Sequence, residues 1–247
     1  MIEFIDITKS FGPKHVLKGV SLTVDRGQVL YVIGSSGAGK SVLVKHLVGL
    51  LRPDSGRILL DGQDITWLSE RAFFEVRKKC AMVFQNSTLF DSMTVLDNVA
   101  LPYRKHSRMK AREAAARALD KLALVDMEHA AERYPADLGD GLQKRVAIAR
   151  ALTLDPQFII FDEPTTGLDP VAAANVDALI RSLRSDTGVT AIVVSHDLRS
   201  IFGVADRVAM IYQGHIQLDG PPQAFRDTDD PIVRQFIEGR PDGPMRI

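Results

Sequence analysis

The sequence predicts an α/β fold built on a mainly parallel sheet with helices packed against it. Residues 29–33, 158–161 and 191–194 are continuous apolar runs of strand length, the pattern of strands covered on both faces. Stretches with helical spacing, 41–51, 110–124, 142–154 and 171–185, alternate with them. Such alternation argues for parallel strands, because each parallel pair needs a crossover and a helix supplies it.

Along the chain, residues 2–7 alternate apolar and polar side chains, as a strand with one wet face does. Residues 57–60 and 81–84 extend the strand set. Residues 86–135 are rich in Ala, Lys and Arg at helical spacing and contain no convincing strand. A helical subdomain of about 86–155 is therefore expected as an insertion in the α/β core. Residues 208–211 and 216–218, joined through Gly214, predict a late hairpin. One domain is expected over 1–239, and the tail 240–247 is too rich in Pro and Gly to continue a helix. Neither an internal repeat nor a low-complexity tract is visible.

The 247 residues are 45% apolar and 25% charged, ordinary values for a globular protein with a sizeable core. Lys plus Arg equals Asp plus Glu, 31 each. No whole-molecule field would draw the chain onto DNA, RNA or anionic lipid, so no nucleic-acid partner is expected. The single cysteine, Cys80, lies in the apolar stretch 80–84 and reads as a buried structural thiol. Residues 1–7 lack the basic-then-apolar pattern of a signal peptide. No apolar run approaches the ~20 residues that a spanning helix needs. Any work at a membrane would need other chains to cross it.

Gly34, Ser35, Ser36, Gly37, Ala38, Gly39, Lys40 and Ser41 spell the P-loop pattern in full, after a buried strand and at the start of a helix. The glycines let backbone N–H groups curl around phosphate oxygens. The helix N-terminus adds partial positive charge, and Lys40 adds a full one for the β- and γ-phosphates of ATP. Ser41 offers its hydroxyl to Mg²⁺.

Asp162 and Glu163 end the apolar strand 158–161. Asp162 can hold Mg²⁺ through its water shell and Glu163 can polarise an attacking water; a pair of surface carboxylates is the competing reading. His196 follows the strand 191–194 and emerges at the edge where open α/β sheets bind ligands. Its shared edge with the P-loop favours γ-phosphate sensing over a structural role. Gln85 ends the strand 81–84 and can reach the metal or the attacking water. Phe11 can stack on a base or pack in the core.

The order of these elements resembles that of ABC-transporter nucleotide-binding domains over nearly the whole chain. It runs Phe11, P-loop, Gln85, a signature before Arg145, the Asp162–Glu163 strand, Thr166-Gly167-Leu168-Asp169 and His196. The resemblance implies a P-loop NTPase core with an antiparallel β region and an inserted helical subdomain. It also implies a nucleotide contact set that runs on to Val42. Such domains work as homodimers: each ATP lies between one subunit's P-loop and the other's signature, here Leu138, Gly139, Asp140 and Gly141, with Asp169 communicating across the interface.

Within the family, the segments 85–95, 143–147 and 231–239 look closest to the ATPases of Mla-type phospholipid transport and related Mce-type systems. Their partners are a membrane permease, a small STAS-domain protein and a periplasmic Mce protein. By that likeness the tail 240–247 is a subunit contact, and the chain sits on the cytoplasmic face of a bacterial inner membrane.

One departure matters. The family signature reads Leu-Ser-Gly-Gly, whereas Gly139 here lacks the hydroxyl and Asp140 replaces a glycine. Asp at a helix start can cap N–H groups that would otherwise face phosphate. Like charges about 4 Å apart repel by at most roughly 4 kcal/mol at an effective dielectric near 20. ATP binding with weakened dimer closure and hydrolysis is therefore expected, unless Asp140 turns outward. The competing classes are a dimerising module with little turnover and a soluble repair or translation ATPase. The latter usually carries coiled-coil insertions or tandem domains, which this chain lacks.

Overall fold

The computed structural model describes residues 1–107 and 109–245. The chain opens with β1 (Ile2–Phe11), β2 (Lys14–Val24), β3 (Val29–Ile33) and α1 (Lys40–Leu47). Next come β4 (Ser55–Leu60), β5 (Gln63–Asp64), α2 (Glu70–Lys79) and β6 (Cys80–Val83). Three helices follow, α3 (Val95–His106), α4 (Ala111–Ala123) and α5 (Asp140–Ala151), then β7 (Phe158–Asp162) and α6 (Pro170–Thr187). The last part holds β8 (Thr190–Val194), α7 (Leu198–Val204), β9 (Arg207–Tyr212), β10 (His215–Gly220), α8 (Pro222–Asp227) and α9 (Pro231–Glu238).

The described residues form two sheets. One is antiparallel, in the order β2–β1–β4–β5. The other runs β10–β9–β3–β8–β7–β6, parallel except for the edge strand β10. All five residues of β3 are buried, and the period-2 geometry of a strand sends them to opposite sides. Val29, Tyr31 and Ile33 join a core with α3–α6, while Leu30 and Val32 join a second core with α1 and the antiparallel sheet. The central sheet is thus sandwiched, which is why its strands read as unbroken apolar runs.

The helices α3, α4 and α5 pack together as an insert between β6 and β7. Thr94 caps α3 by accepting the Asp97 N–H at 3.1 Å. Fully buried Asn98 exchanges hydrogen bonds with the Phe90 backbone and donates to the Met93 and Thr94 carbonyls. That amide folds the preceding loop back onto the helix. The late hairpin turns at Gln213 and Gly214, both with positive φ, as a two-residue connection requires.

Several boundaries differ from expectation. The helix expected over 41–51 ends at Leu47, because Gly49 turns left-handed with φ +70° beside the Phe73 ring. The helix expected over 142–154 starts at Asp140 and closes as a tight 3₁₀ turn, Leu152–Leu154. The strand β2 and the helix α2 were not anticipated. Cys80 is buried as expected, and burial pushes its thiol up to about 12. We predict that a thiol-specific disulfide reagent at pH 8 leaves Cys80 untouched in the folded protein and modifies it completely in urea, read by absorbance.

Candidate nucleotide site

The site is built at the carboxyl ends of three adjacent parallel strands. Val32 of β3 pairs with Val194 of β8, which pairs with Asp162 of β7. The residues that follow this row, 34–41, 195–196 and 163, therefore emerge on one edge. A cavity of about 640 Å³ lies there, lined among others by Gly34, Ser35, Ser36, Gly37, Lys40, Ser41, Gln85, Glu163, Thr166 and His196.

Close packing shapes the loop after β3. A Cβ on Gly34 would lie 2.2 Å from the Ile211 carbonyl oxygen, and one on Gly39 would lie 2.7 Å from the Leu17 side chain. Both backbones have positive φ, +143° and +105°. Lys40 is 7% exposed, and its ammonium donates to the carbonyls of Gly34 at 2.9 Å and Ser35 at 3.1 Å. It also stands 3.8 Å from a Glu163 carboxylate oxygen. Burial lowers the Lys40 pKa, and the charges of Glu163 and Asp162 oppose that shift.

The Ser41 hydroxyl donates to the buried Asp162 carboxylate at 2.6 Å. Glu163 leaves the strand in the left-handed region, φ +54°, with its N–H on the Val194 carbonyl at 2.9 Å. One of its oxygens accepts the Thr166 hydroxyl at 2.9 Å and lies 2.8 Å from His196 Nδ1. The carboxylate is nearly enclosed while the imidazole is half exposed. This arrangement can grip polyphosphate at the loop and hold an oriented base beside it. Ser41 and Asp162 present paired oxygen donors of the kind a hard divalent cation takes.

Not every expected residue faces the cavity. Ala38 is buried and Val42 packs partly buried against the core between the sheets. Gly39 serves as the N-cap of α1. Phe11 is not in the core: it is 47% exposed at the end of β1, with the Lys9 ammonium 5.5 Å from its ring centroid. Leu138 is buried, and Gly139, Asp140, Gly141 and Asp169 line a separate cavity of about 480 Å³ with Arg145. Gly139 is the N-cap of α5, with no side-chain capping bond, and exposed Asp140 follows at the first helical position. Asp169 instead caps α6, accepting from Val171 and Ala172 at 2.8 and 3.0 Å.

Sequence reasoning missed three contributors. The Thr166 hydroxyl orients Glu163, and Lys144 grips the Gln85 backbone. Gln235, Phe236, Gly239, Arg240, Pro241 and Met245 complete the cavity wall from the far end of the chain. There the buried Gln235 amide accepts the Met245 N–H at 2.7 Å.

A P-loop at a parallel sheet edge, with acidic and imidazole groups converging on it, defines a nucleotide-hydrolysing α/β protein. Residues 17–166 match the family described as ABC transporter, and the chain belongs to that family. It is the ATP-binding subunit of an ABC transporter, an ATPase coupled to transport. The probable ribonucleotide transport ATP-binding protein Mkl of Mycobacterium tuberculosis is 40% identical over 244 residues, covering 99% of this chain and 68% of the relative. The intermembrane phospholipid transport system ATP-binding protein MlaF of Escherichia coli is 38% identical over 245 residues, covering 99% and 91%. The dimeric post-hydrolysis structure of the cassette MJ0796, bound to ADP and phosphate, superposes with TM-score 0.82 at 30% identity, covering 90% of this chain and 99% of that one.

Two substitutions test the packing. Gly34→Ala should lower unfolding stability by about 2 kcal/mol or more through the Ile211 contact. Gly139, with φ −68° and nothing near its Cβ position, should accept serine with a change under about 0.5 kcal/mol. Urea unfolding midpoints measure both.

Proposed function

We propose that this chain hydrolyses ATP with Mg²⁺ as one half of a homodimer and thereby powers phospholipid transport between the inner and outer membranes of a bacterium. The observation that carries the catalytic reading is the convergence of Lys40, Ser41, Glu163 and His196 from three strand ends on one cavity, with the buried Asp162 carboxylate bonded to Ser41 behind its wall. Lys40 and the loop N–H groups bind the phosphates, with Phe11 stacked on the base. Ser41 and Asp162, with Gln85, would hold Mg²⁺, which when bound would supply positive charge to the phosphoryl oxygens. Glu163, held by Thr166 and His196, takes the proton of the attacking water. The segment Leu138, Gly139, Asp140 and Gly141 meets the partner's ATP, and Asp169 reports across the interface.

The phospholipid assignment is supported by the likeness to MlaF over 91% of that protein's length. On this reading the partners are a MlaE-like permease, a MlaB-like STAS protein and, indirectly, a periplasmic Mce protein. The tail 240–247 contacts another subunit, and the chain is peripheral on the cytoplasmic face of the inner membrane. No helix among the described residues is long and apolar enough to cross a membrane, so the permease crosses it. The name of Mkl favours a second reading with another substrate. Asp140 favours a third, a dimerising regulatory module with little turnover. Co-purification decides: a permease with a STAS protein supports lipid transport, and a soluble partner alone overturns it.

Glu163→Gln should cut steady-state phosphate release about 100-fold or more while nucleotide affinity, read by a fluorescent analogue, changes less than about threefold. The pair Gly139→Ser with Asp140→Gly, assayed with the permease present, should raise ATPase activity about tenfold by removing the carboxylate from the partner's phosphate. Equal rates in the parent and the pair would refute the inhibitory role of Asp140.

A further inference from the structure

Lys144 lies four residues after Asp140, on the helix that the signature segment opens, and is 3% exposed. Its ammonium donates to the carbonyl oxygen of Phe84 at 3.0 Å and, more closely, to that of Gln85. Both carbonyls belong to the stretch leaving β6, and Gln85 lines the nucleotide cavity. Burial disfavours the Lys144 charge, while Asp140 and Asp162 favour it. A buried cation held by two carbonyl dipoles is a directional tether: it ties α5 to one backbone position, which apolar packing alone would not specify. A smaller cavity beside it is bordered by Gln85, Asp140, Thr166, Gly167 and Leu168, so the tether stands between the nucleotide cavity and the segment 138–141.

We propose that Lys144 is a positioning residue that carries the state of Gln85 to the signature segment. Nucleotide and metal in one protomer's own P-loop then set how that protomer presents residues 138–141 to its partner. The inference rests on the two-site dimer reading above. It assigns no contact between Lys144 and nucleotide: the lysine acts through the backbone of Gln85.

The test uses the full chain carrying Glu163→Gln, which slows turnover, with ATP-driven dimerisation followed by sedimentation velocity and nucleotide affinity measured on the same samples. Lys144→Met should raise the protein concentration for half-dimerisation about tenfold, leave nucleotide affinity within about twofold, and be rescued to within about threefold by Lys144→Arg. With Gln85→Ala also present, Lys144→Met should add less than about twofold: the carbonyls that hold the lysine remain, but the side chain whose state the tether transmits is gone. Unchanged dimerisation, or effects that multiply across the two backgrounds as a merely structural lysine would give, overturns the proposal. Lys144→Gln, a shorter neutral donor, replaces the methionine variant if that fails to fold, with the same criteria. Failure of the Glu163→Gln parent itself to dimerise with ATP would instead bring down the two-site reading, and this inference with it.

Discussion

The site depends on how closely the loop after β3 is pressed between its neighbours. Gly34 meets the carbonyl of Ile211 on β9, and Gly39 meets Leu17 and Val16 on β2. Side chains cannot fit at either place, so the backbone itself forms the cradle and its N–H groups are free to point inward. The two contacts come from different sheets. The phosphate loop therefore sits where the antiparallel and parallel sheets meet, and its shape is fixed only when both are assembled.

Around that loop, charge is arranged by strand register. Because Val32, Val194 and Asp162 lie in one row, the lysine, the two carboxylates and the histidine arrive at the same level without long loops. Burying the Lys40 ammonium opposes its charge, and carbonyls of its own loop together with Glu163 and Asp162 offset that cost. Glu163 stands in a left-handed backbone that costs about 1 kcal/mol for a residue with a Cβ. Its N–H bond to Val194 and the Thr166 and His196 contacts hold it there. Asp140 faces a different cavity, so its influence on hydrolysis within one protomer is remote.

Much of this was legible in the sequence, and the reasons differ by element. The strands β3, β7 and β8 announce themselves because both faces are buried. The strand β2 does not: its burial alternates only from Val20 to Val24, and its pairing with β1 shifts register three times. The helix α2 is dominated by charged residues, and with Phe73 and Val76 its buried anchors its apolar stripe is too short to stand out. In the site, the contiguous P-loop could be read directly, and Glu163 and His196 could be brought together because strand ends share an edge. The Lys144 tether could not, since it joins backbone carbonyls about 60 positions away. Carbonyls carry no side-chain signature. The wall formed by Gln235, Phe236 and Arg240 was invisible for the same reason of distance.

The position of β3 within its sheet also bears on how the molecule is made. Both of its neighbours arrive late in synthesis: Val29 pairs with Ala191 of β8, and Leu30 with Arg207 of β9. A fully apolar strand thus leaves the ribosome long before either partner exists. Non-local parallel pairing of this kind is slow and leaves apolar edges exposed to aggregation. The nascent chain must shelter β3, through early packing with α1 and the antiparallel sheet or through a chaperone, until the second half of the sheet is translated.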